Sequence, residues 1–92
     1  MNTKENKNNM KIRILLKKAR EKKGLNYSTM AKALNLSSHA PYLNIEKGTR
    51  EASIAMWKRI QKVLDIKDSK MWEVITTFNY VENKNKTNKI DK

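Results

Sequence analysis

Cysteine is absent from this chain, so disulfides and thiolate metal sites are excluded. One histidine, together with the missing cysteine, leaves no common nucleophile–base pair and no zinc cluster. Only two glycines are present, Gly24 and Gly48, which rules out a glycine-rich phosphate loop. No apolar run approaches the ~18 residues of a membrane-spanning segment. The polar start, MNTKENKNNM, has no apolar signal-peptide core, so export is not expected and a cytoplasmic location is. No cofactor or metal is implied, and the nine acidic residues are scattered, most beside lysines. An enzyme is therefore not expected.

Acidic residues are also outnumbered. Nine Asp and Glu face 21 Lys and Arg, a formal charge of +12 on 92 residues. Such a charge steers a small protein toward phosphate-rich surfaces. A chain this short forms one domain and buries only about 60% of its unfolded surface. A stability of about 5 kcal/mol is expected.

Residues 1–10 are rich in Asn and Lys and read as a disordered basic arm; residues 79–92, NYVENKNKTNKIDK, read as a tail of the same kind. Five helices are expected between them, over residues 11–78, with no strand. The first covers residues 11–23. Ile12, Leu15, Leu16 and Ala19 form its apolar stripe, with Arg13, Lys17, Lys18 and Arg20 on the rest of its surface. Gly24 stops it. Asn26 caps a second helix over residues 27–34, stapled by Leu25 and Met30. Asn35 ends that helix in a left-handed conformation. A third lies between Ser38 and Lys47 and closes at Gly48. Ser53 caps a fourth over residues 54–64, whose inner face is Ile54, Trp57, Ile60, Val63 and Leu64. Asp65 stops it and Ile66 tucks back. Asp68 or Ser69 caps the fifth, over residues 70–78. Trp57 and Trp72 read as core. The apolar face of Trp72, Ile75 and Phe78 is wide enough to serve as a dimer contact as well.

The second and third helices, joined by a tight turn, form a helix-turn-helix. LKKAREKKGLN (16–26), MAKAL (30–34), IEKGTREAS (45–53) and IQKVLDI (60–66), in this order, resemble the Cro/C1-type helix-turn-helix domain of phage repressors and bacterial regulators. The resemblance implies an all-α, lambda-repressor-like compact five-helix bundle. It also implies sequence-specific binding to double-stranded operator DNA, mostly as a homodimer on inverted repeats. Physically, the second helix crosses the phosphate backbone and props the third in the major groove. Ala31 is small enough for that crossing, and Ile45 anchors the third helix to the core.

Carried over position by position, the base-reading residues are Ser38, His39, Ala40 and Asn44. Ser38 also takes the N-cap place. Asn44 suits a bidentate adenine contact, and Ala40 a thymine methyl. Tyr27, Ser28, Thr29, Lys47, Thr49 and Arg50 are the expected phosphate contacts. Tyr42 is expected to pack, with its hydroxyl reaching the edge. Glu46 is expected to cap the turn or pair with Arg50. Three departures stand out. The turn is one residue longer than the family pattern, near Leu36–Ser37. Tyr27 stands where a phosphate-binding Gln is common. Pro41 lies in the recognition helix, tolerated at N3 if Ser38 is the N-cap, or else delaying the helix start and leaving His39 and Ala40 on a loop.

These residues point to a dimeric DNA-binding repressor from a phage, plasmid or other mobile element. Two alternatives stay open. One is an antitoxin-like or adaptor protein that uses the fold to bind a protein partner. The other is an accessory DNA-binding protein for plasmid transfer or replication.

Overall fold

The computed structural model describes residues 9–82. Five helices fill most of that span: α1 (Ile14–Lys22), α2 (Tyr27–Ala33), α3 (Ala40–Lys47), α4 (Ile54–Leu64) and α5 (Asp68–Thr76). Two four-residue strands, β1 (Asn9–Ile12) and β2 (Asn79–Glu82), flank them. They form an antiparallel ribbon in which Asn9 pairs with Glu82 and Ile12 with Asn79. The five helices are the all-α bundle expected, and the ribbon corrects only the expectation of no strand, at both ends. Asn9 and Met10 are strand rather than arm, residues 79–82 are strand rather than tail, and Ile12 belongs to β1 rather than to the first helix. The disordered readings of residues 1–8 and 83–92 lie outside the described residues.

The helix boundaries follow from local chemistry. Asn26 caps α2 through its side chain, and Thr29 Oγ1 accepts the Asn26 N–H in return, a reciprocal capping box. Ser53 accepts the Met56 N–H at the start of α4. Gly24, Asn35, Gly48 and Asp65 all adopt positive φ after their helices, as expected of Gly, Asn and Asp stops. Two caps differ from expectation. His39, not Ser38, is the N-cap of α3, and it makes no side-chain cap bond. Ala40 is therefore helical and Pro41 stands at N2, where no intrahelical N–H is lost. Lys67 precedes α5, so Asp68 lies within the first turn and favours the helix dipole without capping.

The core gathers Leu16, Met30, Leu34, Tyr42, Ile45, Trp57, Ile60, Leu64 and Val74. Leu25 packs against the core cluster that holds Met30, and Ile66 does turn back onto the same cluster. Two apolar assignments fail. Ile54 is 76% exposed, since it opens α4 at the bundle edge. Trp72 is 73% exposed, because α5 buries only the side that carries Val74 and leaves Trp72 outside.

Arg13, expected on the surface, is 2% exposed. As the N-cap of α1 it stands three residues before Leu16 and seven before Arg20, so the buried side of this segment begins and ends with a guanidinium. Its Nε donates to the Ile75 carbonyl and its Nη1 to the Ile45 carbonyl, each at 2.7 Å. Its Nη2 donates to Glu51 at 2.9 Å, and the Trp57 and Phe78 rings lie 5.2 and 4.7 Å away. Both carbonyls belong to last turns, where helix dipoles favour a cation. Its backbone N–H donates to the Glu46 carbonyl at 2.7 Å, tying the ribbon to α3.

Phe78 also lies against Gly48, with Lys11 Nζ 4.5 Å from its ring centre. A Cβ added at Gly48 would sit 2.6 Å from Phe78 Cε2 and 2.8 Å from Lys11 Cε, at φ +77°. Gly48→Ala should therefore cost roughly 2–3 kcal/mol from left-handed strain and overpacking together. Urea titration of a double-mutant cycle checks this: Phe78→Ala should remove part of that cost, and strictly additive effects would contradict the clash.

Candidate nucleic-acid interface

Seven of the eight residues of α3 fall on two sides, Pro41 apart. Tyr42, Ile45 and Glu46 are buried, while Ala40, Leu43, Asn44 and Lys47 form the outward stripe at spacings of three, one and three. Glu46 fixes which side faces in. Its carboxylate accepts from Arg20 Nε at 2.8 Å, Arg20 Nη2 at 3.2 Å, Tyr27 Oη at 3.1 Å and Tyr42 Oη at 2.7 Å. Four donors fill the lone-pair sites of one carboxylate. Arg20 also donates to the Leu25 carbonyl at 2.7 Å and lies 4.3 Å from the Tyr27 ring. One cluster thus joins α1, the turn before α2, α2 itself and α3.

This geometry overturns several expectations. Glu46 neither caps the turn nor pairs with Arg50, because a buried guanidinium is aimed at it. Arg20 is core, not surface. Tyr27 spends its hydroxyl on Glu46 and does not hold it out toward a phosphate. The Tyr42 hydroxyl turns inward rather than to the edge. Pattern could have signalled the cluster: Arg20 lies four residues after Leu16, and Glu46 four after Tyr42, so both occupy core-facing positions.

Burial and the Glu46 charge shape the titration of this cluster. Burial, then the negative charge and hydrogen bond of Glu46, push Tyr27 and Tyr42 above the ordinary tyrosine range. For Arg20, burial pulls downward, but the hydrogen bond and charge of Glu46 outweigh it and raise the guanidinium.

The remaining sequence-selected residues are placed as follows. Ser38, His39 and Ala40 are exposed at the N-terminal end of α3, and Asn44 is half-buried one turn on. Ser28 is exposed near the start of α2, and with Lys32 of α2 it shares a shallow hollow with Ser38 and His39. The hollow therefore joins α2 to the turn that leads into α3. Thr29 is exposed, but its hydroxyl serves the α2 cap. Thr49 and Arg50 are exposed beyond Gly48. The Thr49 N–H and hydroxyl and the Arg50 N–H all donate to the Asn44 carbonyl, so this loop is folded onto the helix end. Of the α5 face, only Trp72 stands out in solvent. Ile75 is half-buried, and half-buried Phe78 is committed to Gly48 and Arg13.

Among the described residues no group of His, Cys, Asp or Glu gathers as a metal site, and no helix is long and apolar enough to cross a membrane. A short helix anchored from behind by a buried ion pair, beside a crossing helix and a cationic surface, defines a helix-turn-helix DNA-binding domain. A family model described as helix-turn-helix matches residues 16–70, and the chain belongs to this Cro/C1-type family of DNA-binding transcription regulators. No curated protein and no solved structure gave a match.

Two outcomes follow from the Glu46 cluster. Glu46→Ala strands a buried guanidinium and should cost about 3–5 kcal/mol, enough to unfold a domain of this size. Combining Arg20→Met, Glu46→Leu and Tyr42→Phe, which removes charges and the buried hydroxyl together, should restore most of the loss in thermal melts. The second concerns alkali. Folding raises both tyrosine pKa values, so the associated stability is complete below about pH 10 and is lost as pH rises further. Absorbance at the tyrosinate band should show these two residues ionising together with the loss of helical circular dichroism. Ionisation of Tyr42 well before unfolding would contradict its buried environment.

Proposed function

We propose that this protein is a cytoplasmic repressor that occupies an inverted-repeat operator as a dimer, at a promoter of a phage, plasmid or other mobile element. The observation that carries this reading is the outward stripe of α3, held by the Glu46 cluster on its inner side. A helix whose orientation is locked by a buried carboxylate can present Asn44 to a base edge at low entropic cost. Asn44 reads adenine through its amide, Ala40 touches a thymine methyl, and Ser38 and His39 meet the groove edge. Ser28 and Lys47 contact the phosphates on either side, which sets register without reading sequence. Tyr27 and Thr29 are left out of that set because their hydroxyls are engaged within the fold.

A second reading rests on Leu43, an apolar residue on the same outward stripe. An adaptor or antitoxin-like protein would use it to seat a protein partner instead of a base.

Selection from random duplex DNA separates the two. A repressor enriches an inverted repeat, with affinity falling steeply as salt rises. Asn44→Ala should cost about 1–3 kcal/mol at one base position, whereas Lys47→Ala should weaken all sequences alike and reduce the salt slope by about one. Failure to enrich any motif, with binding indifferent to Asn44, would favour the adaptor.

A further inference from the structure

A hollow of about 310 Å³ opens between the end of α2 and the second half of α4, with no residue of α3 in its lining. Lys32, Arg59 and Lys62 line it, and no acidic residue does. All three cations are exposed, and among the described residues none of them enters an ion pair. Helix ends account for part of this arrangement. Lys32 and Lys62 stand in last turns, where the helix dipole favours a cation. Arg59 stands a turn earlier, three residues before Lys62, and like charges that close on one helix face repel. Its Nη1 donates to the Leu34 carbonyl at 3.4 Å, which carries the guanidinium across from α4 to the end of α2. Three cations that no acid neutralises are thus gathered on one concave surface, where a bound anion would turn their repulsion into attraction.

We propose that Lys32, Arg59 and Lys62 form a second phosphate-binding site, outside the helix-turn-helix contacts, for the backbone of duplex DNA that runs on past the N-terminal end of α3. Continuity identifies the occupant. Lys32 lines this hollow and also the one at the turn into α3, which holds Ser28, Ser38 and His39. The two hollows therefore adjoin through one side chain. A strand leaving the Ser38 end of the recognition helix meets Lys32 first and the α4 pair next. Both Arg59 and Lys62 lie on a helix that takes no part in base reading, so the site adds affinity and holds the flank without reading its sequence. The inference rests on the docking of α3 in the major groove and is independent of the operator, the dimer and the sign of regulation.

Fluorescence anisotropy of the full chain across a salt series tests the site, with random-sequence duplexes of roughly 30 base pairs, about three turns. Each phosphate neutralised contributes about 0.9 to the slope of log affinity against log salt. Lys32→Gln with Lys62→Gln breaks no side-chain bond among the described residues and should flatten the slope by about two; adding Arg59→Gln should flatten it by about three. Arg59→Lys alone should keep the wild-type slope, because it preserves the charge while losing the guanidinium. Lys18→Gln with Lys70→Gln removes the same charge as the double variant from exposed places on α1 and α5, and should move the slope by less than about one. On duplexes of roughly 10 base pairs, a single turn, the hollow variants should lose no more than this control.

A second readout does not depend on charge. The chain has no cysteine, so Lys62→Cys supplies a unique thiol for a photo-crosslinker. It should crosslink to the long duplex and not to the short one. A slope unchanged in the hollow variants, an equal loss in the α1 and α5 control, or no crosslink to the long duplex would overturn the site. So would inorganic phosphate that shifts the amide resonances around Lys32 and Lys62 while the DNA slope is unaffected by their substitution, since the hollow would then serve a free anion. Random-sequence selection separates this claim from the operator reading. Loss of slope with no enriched motif defeats the operator and leaves the hollow standing, and an enriched motif with no loss of slope does the reverse.

Discussion

The Arg20–Glu46 ion pair is the constraint on which the rest of this small domain depends. It sits in the core, where an unpaired charge is far costlier than at the surface. Neither member can move without stranding the other, and two tyrosine hydroxyls close the remaining acceptor sites. The pair spans the first and third helices and reaches the second through Tyr27. Relative placement of the two helices of the helix-turn-helix is therefore set by directional bonds and not by apolar contact alone. The outward stripe inherits that precision because Asn44 and Lys47 flank Ile45 and Glu46 in the same helical turn.

Arg13 does the corresponding work at the other end. One guanidinium serves the C-terminal turns of two helices, sits between two aromatic rings and holds an acidic loop residue. Its neighbour Lys11 covers Phe78 from the ribbon. A highly cationic chain has thus turned a few of its charges inward as structural fasteners. The rest stay at the surface, where they steer the protein toward phosphate.

Much of the fold was legible because it is written in short-range chemistry. Asn26 and Ser53 announce helix starts, and Gly24, Asn35, Gly48 and Asp65 announce stops, each through its own backbone or side chain. The helix-turn-helix was legible in the order of its motifs, and the set of Ser38, His39, Ala40 and Asn44 came from the family resemblance rather than from any local signal. What escaped reading depends on partners remote in the chain. Arg13 and Arg20 looked like ordinary surface cations until Ile75, Ile45 and Glu46 were brought to them. The ribbon joins four-residue segments some 70 positions apart, too short to show alternation. Trp72 and Ile54 share an error of another kind. Apolar spacing marks a face, but a small bundle lacks the neighbours to cover every residue on it.

The antiparallel register of the ribbon has a mechanical consequence. Asn9 and Glu82 form its outermost rung, so tension applied through the two ends of the folded unit meets the strand pairs singly, like the teeth of a zip, rather than loading them in parallel. The ribbon should peel at low force. Resistance would then rise sharply at Phe78 and Arg13, where the first clasp of the helical body is reached.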